Sequence, residues 1–183
     1  MKDIKTTWRS PSNIALVKYW GKKAGVQVPA NPSISFTLEH CYSETSVTLI
    51  KKEKKSKDIE LRFYFDGKEN IAFRLRMLKF FEAILKDFPL LLDHSLLIHS
   101  TNSFPHSSGI ASSASSMSSL ALCLCDLQQQ LSKKKVSPEK FLQQASDFAR
   151  LGSGSAGRSG YPLISQWGKT SVVKGSSDEY AIP

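Results

Sequence analysis

Long apolar runs are missing from this sequence of 183 residues, although hydrophobic residues make up 40% of it. A membrane-spanning helix needs about 20 consecutive apolar residues, and no segment approaches that length. The N-terminal segment MKDIKTTWRS also lacks the apolar stretch that characterises a secretory signal peptide. The sequence therefore predicts a cytoplasmic protein without a membrane partner.

Cysteine is scarce, and only Cys41, Cys123 and Cys125 are present. Three cysteines cannot all pair with one another. The spacing of Cys123 and Cys125 matches neither a metal knuckle nor a redox C-x-x-C motif. We therefore expect reduced thiols with a structural role.

Acidic residues are in the minority, since 16 Asp and Glu stand against 25 Lys and Arg and give a net charge of +9. Much of the basic excess lies at residues 51–57 and 133–135, between periodic segments, where charge usually belongs to solvated loops. Neither run is interleaved with aromatic residues or placed on a helix of a recognisable nucleic-acid-binding motif, so no nucleic-acid partner is predicted. The basic balance also suits a polyphosphate substrate.

Neither an internal repeat nor a linker rich in proline and glycine divides the chain, so residues 1–183 are treated as one domain or part of a larger one. Period-two and helical hydrophobic patterns alternate along the chain, which predicts an α+β fold with a long helix after Gly109. The predicted strands lie at 14–17, 33–38, 46–50, 59–65, 95–101, 163–167 and 171–174, and the predicted helices at 71–85, 111–131 and 138–149.

Serine and glycine are concentrated at 100–120, STNSFPHSSGIASSASSMSSL, where a loop turns abruptly into an apolar-patterned helix. Small residues let backbone N–H groups approach a phosphate, and the helix directs its unpaired amides and positive dipole end at the same point. Hydroxyl groups that add donors, and that could reach a phosphate-bound Mg²⁺, belong to Ser107, Ser108, Ser112 and Ser113. The segment lacks the lysine of the G-x-x-x-x-G-K-[ST] loop, so a solvated connection remains the alternative.

Cations and a phenol follow the apolar strand at 14–17, in the order KYWGKK. Proteins of the α/β class usually bind ligands where strands leave the sheet, which makes Lys18, Tyr19 and Lys22 candidates for binding. Glycines and hydroxyls surround Arg158 in the segment ARLGSGSAGRS, and a guanidinium there could clamp a carboxylate or phosphate. A solvated strand exit and a flexible loop are the respective alternatives.

Four segments together resemble the diphosphomevalonate decarboxylase family of the GHMP kinase superfamily: KYWGK, PANPSISFTL, TNSFPHSSGIASSAS and ARLGSGSAGRS, in this order and at these separations. The superfamily pattern P-x-x-x-G-[LI]-x-S-S-A is matched at 105–114, and the KYWGK and GSGSA-x-RS segments are more specific. The resemblance covers about residues 10–167. It implies the GHMP kinase N-terminal lobe, with a mixed sheet, a left-handed βαβ crossover and a long central helix.

The resemblance implies ATP- and Mg²⁺-dependent decarboxylation of (R)-5-diphosphomevalonate in isoprenoid and sterol biosynthesis. The substrate would be bound by Tyr19, Lys22, Ser153 and Arg158. Arg158 would hold the C1 carboxylate, and Lys18 would lie close to the reacting groups. The ATP site implied by the resemblance comprises Asn102, Ser107, Ser108, Gly109, Ser112, Ser113 and Ala114, with Ser112 also reaching Mg²⁺ through the phosphates.

Three positions depart from the family pattern. Gly157 stands where the family usually has cysteine, and Pro162 and Leu163 stand where it commonly has a glycine pair. If those glycines had positive φ, the turn after Arg158 would change shape and affect the placement of the arginine.

The catalytic aspartate of the family lies beyond residue 183, and no aspartate of this sequence occupies its motif. The chain is therefore interpreted as an N-terminal portion that does not turn over alone and exposes apolar surface on its central helix. A homodimer and a co-purifying C-terminal half are the predicted protein partners. Two alternatives remain open: a GHMP small-molecule kinase acting on a mevalonate-type substrate, and a non-catalytic nucleotide-binding remnant.

Overall fold

A computed structural model of the chain describes residues 3–23, 28–54, 56–105 and 108–183. The strands are β1 (Ile4–Val17), β2 (Ser33–Lys51), β3 (Leu61–Phe65), β4 (Lys68–Glu69), β5 (His94–Asn102), β6 (Ile164–Trp167) and β7 (Ala181–Ile182). The helices are α1 (Ile71–Ile84), α2 (Leu90–Asp93), α3 (Ser112–Ser132) and α4 (Pro138–Gly152), and a 3-10 turn follows at Gly154–Arg158. Among the described residues, no helix has the length and apolar character needed to cross a membrane.

The strands form one mixed sheet in the order β4-β3-β5-β2-β6-β7, and β1 pairs with β2. Strand β2 is long enough to have two neighbours in succession, because residues 43–51 pair with β5 and residues 33–36 pair with β6. Strand β1 runs antiparallel along the other edge of β2. Residues of β1 and β2 therefore lie next to both segments of the predicted site, which are the loop before α3 and the 3-10 turn at Gly154–Arg158.

The sequence predicted two separate strands where β2 runs unbroken, and it missed the first ten residues of β1. Both errors have one cause. Pro11 pairs with Tyr42 whereas Ser12 pairs with Leu38, so residues 39–41 bulge out of the ladder. Such a bulge, with polar residues buried on both sides of it, disrupts the period-two pattern that identifies a strand.

Strands β3 and β5 are parallel neighbours, joined through β4, α1 and α2 in a βαβ connection. The turn predicted after β3 is present, with Asp66 and Gly67 at φ of 47° and 76°. Helix α1 begins after Asn70, whose side chain accepts a hydrogen bond from the Phe73 amide. The left-handed sense of the crossover remains a prediction.

Helix α3 is the centre of the fold and packs against β1, β2 and α4. Most of its apolar side chains are buried, including those of Leu120, Leu124 and Leu127, whereas Leu131 near its end is 37% exposed. The expectation of exposed apolar surface on this helix is therefore wrong for all but its last turn, because the sheet and α4 already cover the rest. Exposed apolar side chains instead form a row of cross-strand partners on β1, β2 and β6: Ile14, Phe36 and Ile164.

The predicted strand at 171–174 does not form. The chain turns there instead, with the Ser176 amide 3.3 Å from the Val173 carbonyl oxygen and Gly175 at a φ of 82°. The glycine favours this left-handed turn over continued extended backbone. Apart from this strand, β1 and β2, the predicted strands and helices correspond to elements of the structure within a few residues.

Candidate functional site

The loop between β5 and α3 has the backbone features of an anion-binding segment. Gly109 has a φ of 80° and Ala111 a φ of 51°, and α3 starts at Ser112 without a side-chain cap on its first turn. The amides of Ser112 and Ser113 therefore lack the capping oxygen that usually satisfies a helix N-terminus. These donors and the helix dipole favour a negatively charged ligand at this point.

The predicted ATP residues occupy different positions around this helix start. Ser108, Gly109 and Ser113 are exposed, and Ser112 is partly exposed. Ser107 lies outside the described residues. Ala114 is fully buried, and its amide donates to the Ala111 carbonyl oxygen at 2.9 Å.

The side chain of Asn102 is directed toward the sheet beneath α3. Its Oδ1 accepts a 2.7 Å hydrogen bond from Ser43, and its Nδ2 is buried without a partner among the described residues. Ser43 also lies 2.7 Å from Ser115, and Thr45 lies 2.7 Å from Ser119. Inward-facing serines of α3 thus hold the helix on the sheet, whereas Ser112 is partly exposed and Ser113 is exposed.

The 3-10 turn at Gly154–Arg158 places Arg158 beneath the strand end of β1. The Arg158 guanidinium donates to the Ser33 hydroxyl and, at 3.4 Å, to the Oδ1 of Asn13. Its carbon lies 5.9 Å from the centre of the Tyr19 ring. Its Nε is buried with no hydrogen-bond partner in the described part of the chain.

Arg158 is a buried cation without an acidic partner. Its residue surface is only 2% exposed, and no carboxylate within the described ranges forms an ion pair with it. Burial lowers the pKa of Arg158 to about 10, so the side chain remains charged at neutral pH. An unpaired buried charge is costly, and its persistence here is typical of a site that receives an anion.

Glycines bring this turn close to its surroundings. A Cβ at Gly154 would lie 3.0 Å from the Tyr19 hydroxyl, and one at Gly157 would lie 3.1 Å from both the carbonyl oxygen and the hydroxyl of Ser146. The Ser146 hydroxyl donates to the Gly157 carbonyl oxygen at 2.7 Å and accepts from the Ala181 amide at 2.8 Å. Glycine in place of the family's cysteine therefore lets the turn pack tightly on α4.

The second departure from the family pattern has a direct structural consequence. Leu163 adopts a φ of 59° and is 80% exposed, so a leucine occupies the left-handed conformation that glycine favours. Thr37 holds the turn through two hydrogen bonds. Its amide donates to the carbonyl oxygen of Leu163 and its hydroxyl donates to the carbonyl oxygen of Tyr161, both at 2.8 Å. The turn after Arg158 therefore contains a locally strained residue.

We call the loop between β5 and α3 the serine loop. A cavity of about 230 Å³ lies where the end of β1, the serine loop and the 3-10 turn meet. Its walls bring together predicted residues from all three sequence segments, namely Lys18, Tyr19, Gly109 and Arg158, with Asn13 and Ala111 between them. Lys22 lies close by, since its Cε is 3.5 Å from the position of a Cβ on Gly154. We call this cavity the arginine cavity.

A second cavity, of about 340 Å³, lies between α1, the start of α3 and the end of α4. Its lining includes Ser112, Ser113 and Ser153, and also the aromatic rings of Phe63, Phe65 and Phe73. We call it the aromatic cavity. The sequence gave no signal that these aromatic residues or α1 contribute to the site. Ser153 therefore lies with the predicted ATP residues rather than in the arginine cavity.

Carboxylates are missing from the lining of the arginine cavity, as far as the structure describes the chain. Asp178 accepts hydrogen bonds from Lys23 at 2.8 Å and from the Lys169 amide at 2.7 Å. Its burial would raise its pKa, but these hydrogen bonds outweigh it and lower the pKa below the ordinary value. Asp178 is thus a weak base that is already engaged.

Comparison with known families agrees with the geometry of this site. A family model described as "Diphosphomevalonate decarboxylase-like N-terminal domain" matches residues 10–181. The chain belongs to this family. It is 29% identical to the diphosphomevalonate decarboxylase of Rattus norvegicus over 206 aligned positions, covering 100% of the chain and 47% of the relative. It is 32% identical to that of Candida albicans, with coverages of 86% and 43%.

Solved structures support the same fold. The mevalonate diphosphate decarboxylase of Staphylococcus aureus matches with a TM-score of 0.74 at 34% identity, covering 100% of this chain and 50% of that one. The enzyme from Enterococcus faecalis matches with a TM-score of 0.75 at 31% identity, with coverages of 100% and 52%. A further match is to MDDEF in complex with MVAPP, AMPPCP and magnesium, with a TM-score of 0.74, 30% identity and coverages of 100% and 51%.

These matches confirm the predicted α+β fold and N-terminal lobe of a GHMP kinase. The chain spans about half the length of the curated relatives it matches.

Proposed function

We propose that this chain provides the nucleotide- and substrate-binding half of an ATP-dependent decarboxylase. The reaction converts (R)-5-diphosphomevalonate to isopentenyl diphosphate, ADP, phosphate and CO₂, and it serves isoprenoid and sterol biosynthesis in the cytoplasm. The observation that carries the proposal is the buried, unpaired guanidinium of Arg158, which shares a cavity with Lys18 and Gly109. This site offers a carboxylate a fixed cation beside a phosphate-binding loop.

ATP would lie across the start of α3. The aromatic cavity would hold the nucleoside, because Phe63, Phe65 and Phe73 provide apolar faces for a base. Ser112 and Ser113 border this cavity, whereas Gly109 and Ala111 border the arginine cavity. Phosphates bound at the helix start would therefore point from one cavity toward the other.

Magnesium would be held mainly by the phosphates of ATP. No group of three or more His, Cys, Asp or Glu side chains in the described ranges could hold a metal ion. The donors near the helix start are the hydroxyls of Ser112 and Ser113, which suit a cation already bound to phosphate oxygens. When bound, the ion would neutralise the charge of the transferred phosphoryl group.

The side chains of the arginine cavity orient the reacting part of the substrate. Arg158 would bind the C1 carboxylate, and Lys18 would lie near the 3-hydroxyl and compensate negative charge there. Tyr19 and Lys22 would bind the diphosphate end, with Ser153 contributing from the neighbouring cavity. Positioning and charge neutralisation account for most of the catalysis of phosphoryl transfer.

Decarboxylation follows from the phosphorylated tertiary alcohol. When the 3-phosphate leaves with its C–O electron pair, C3 becomes electron deficient. The C1–C2 bond electrons then form the C2–C3 double bond, and C1 departs as CO₂. Arg158 fixes the carboxylate so that the breaking bond faces C3.

The base for the 3-hydroxyl would come from the part of the relatives that this chain does not match. No carboxylate lines the described arginine cavity, and Asp178 is engaged by Lys23. We therefore propose a C-terminal polypeptide as partner, and the exposed row of Ile14, Phe36 and Ile164 is an apolar surface for it to cover. A homodimer is the other proposed assembly, and intact-mass analysis of the purified material, which shows whether one or two different polypeptides are present, distinguishes the two.

Product analysis tests the proposed reaction. The chain is assayed with ATP and diphosphomevalonate, alone and with any co-purifying C-terminal polypeptide, and the products are separated by chromatography. Formation of isopentenyl diphosphate with the partner supports the decarboxylase. A stable 3-phosphorylated product would instead indicate a small-molecule kinase, and ligand binding without turnover in either sample would indicate a binding remnant.

A further inference from the structure

Strand β1 directs two consecutive side chains into the interior opposite the bulge in β2. The register of β1 against β2 shifts between Pro11 and Ser12, and Ser12 and Asn13 are both buried, at 0% and 4% exposure. Neighbouring residues of a regular strand face opposite sides of the sheet. The two adjacent inward side chains of β1 therefore coincide with an irregularity of the ladder.

These two side chains contact different halves of the candidate site. The Ser12 hydroxyl donates to the carbonyl oxygen of Ile110, in the serine loop. The Asn13 amide donates to the Ser155 carbonyl oxygen at 3.2 Å and accepts from Arg158 at 3.4 Å. Strand β1 thus contacts both the serine loop and Arg158.

The contact of Ser12 lies at a strained point of the loop. Ile110 immediately precedes Ala111, which adopts a left-handed φ of 51° at the start of α3. A non-glycine residue in this conformation is strained and persists only where the surroundings hold it. The hydrogen bond from Ser12 fixes the peptide before Ala111.

We propose that Ser12 is a positioning residue that fixes the phosphate-binding loop relative to Arg158. The proposal rests on the proposed function of the site. Loss of the Ser12 hydroxyl releases the Ile110 carbonyl, so the end of the loop and the first amides of α3 no longer keep their direction toward the arginine cavity. Binding of the nucleotide then weakens, whereas Arg158 keeps its bonds to Asn13 and Ser33.

The test compares Ser12→Ala with Ser10→Ala in the full chain. Ser10 is a matched control, because it is a fully buried serine of the same strand whose hydroxyl donates to a backbone carbonyl, that of Ser159, at 2.8 Å. Ser12→Thr retains the hydroxyl, and Ser12→Cys retains the size with a weak donor. Hydrogen exchange is measured at the amides of residues 110–114 and 155–160, together with calorimetric binding of Mg·ATP and of diphosphomevalonate.

Ser12→Ala and Ser12→Cys are expected to raise exchange at 110–114 by about tenfold and to weaken Mg·ATP binding similarly, while diphosphomevalonate binding changes less than about twofold. Ser10→Ala should instead raise exchange at 155–160 and weaken diphosphomevalonate binding more than Mg·ATP binding. Ser12→Thr should keep the exchange rates and both affinities of the unmodified chain. If Ser12→Ala does not fold, Ser12→Cys is compared with Ser10→Ala instead. Unchanged exchange at 110–114, or an increase spread evenly over the sheet, would overturn the proposal. If the unmodified chain binds neither ligand, the proposed function fails, and exchange still decides the role of Ser12.

Discussion

Ser33 on β2 accepts a hydrogen bond from the guanidinium of Arg158 and donates one to the carbonyl oxygen of Trp167 at 3.2 Å. The arginine is thus held by neutral groups, Ser33 and Asn13, rather than by a carboxylate. Neutral partners fix the direction of the guanidinium without cancelling its charge. The positive charge of Arg158 is therefore available to a negatively charged ligand.

Replacing Arg158 by lysine tests this arrangement. Lysine keeps a positive charge but lacks the planar fork that binds a carboxylate through two hydrogen bonds. Arg158→Lys should therefore weaken diphosphomevalonate binding by about 2 kcal/mol, or about 30-fold in the calorimetric dissociation constant. Arg9→Lys is the matched control, since Arg9 is an exposed arginine that pairs with Glu44. Equal affinity of both variants would contradict the assignment of Arg158.

Gly109→Val should abolish measurable ATP binding while the fold persists. Gly109 has a φ of 80°, and no atom lies within 4 Å of a Cβ built on it, so the defect would come from backbone conformation and from the approach of the phosphate. Gly175 has a φ of 82° and equally open surroundings, which makes Gly175→Val the control for strain alone. Nucleotide titration of both variants, with circular dichroism for the fold, separates the effects. Comparable ATP affinity in the two variants would argue against a phosphate at Gly109.

Leu163→Gly should stabilise the protein by about 1 kcal/mol. The leucine pays for a left-handed conformation that glycine adopts without strain, and its exposed side chain contributes little packing. Urea denaturation measures the change in the free energy of unfolding. Val172→Gly, at an exposed residue outside the left-handed region, should give no gain. A Leu163→Gly variant less stable than the original chain would show that the side chain has a packing role.

Thiol labelling should distinguish the cysteines by burial. Burial raises the pKa values of Cys123 and Cys125 to about 12, so both remain neutral thiols at pH 8. Cys41 is partly exposed. A thiol reagent should therefore modify one group per chain in the native state and three after denaturation, and Cys41→Ser should remove the native reaction. Rapid native labelling of more than one thiol would contradict the packing of α3.

The parts of the site that the sequence predicted are those whose chemistry is local. Gly109 and the serines around it indicate a phosphate loop because small residues and a helix start form the loop by themselves. Arg158 was identified by its glycine-rich neighbours. In both cases a short segment contains most of the physical reason for its role.

The parts that the sequence did not predict depend on distant partners. That no carboxylate of the described residues pairs with Arg158 becomes visible only when the surrounding strands are in place. Phe73 on α1 has the spacing of a core residue, and only the βαβ connection brings it beside Ser112. Ser12 lies opposite the bulge in β2, where the period-two pattern of β1 is lost, so its contact with Ile110 has no signal in the sequence.

We propose that this chain binds Mg·ATP and diphosphomevalonate, and that no carboxylate among its described residues acts as the base. Calorimetric binding of Mg·ATP and diphosphomevalonate to residues 1–183, with phosphate release followed in the same sample, tests this most directly. We expect one site for each ligand and no phosphate release above the rate without protein. Failure to bind diphosphomevalonate would contradict the site, and sustained phosphate release by this chain alone would show that a carboxylate within it, such as Asp178, acts as the base.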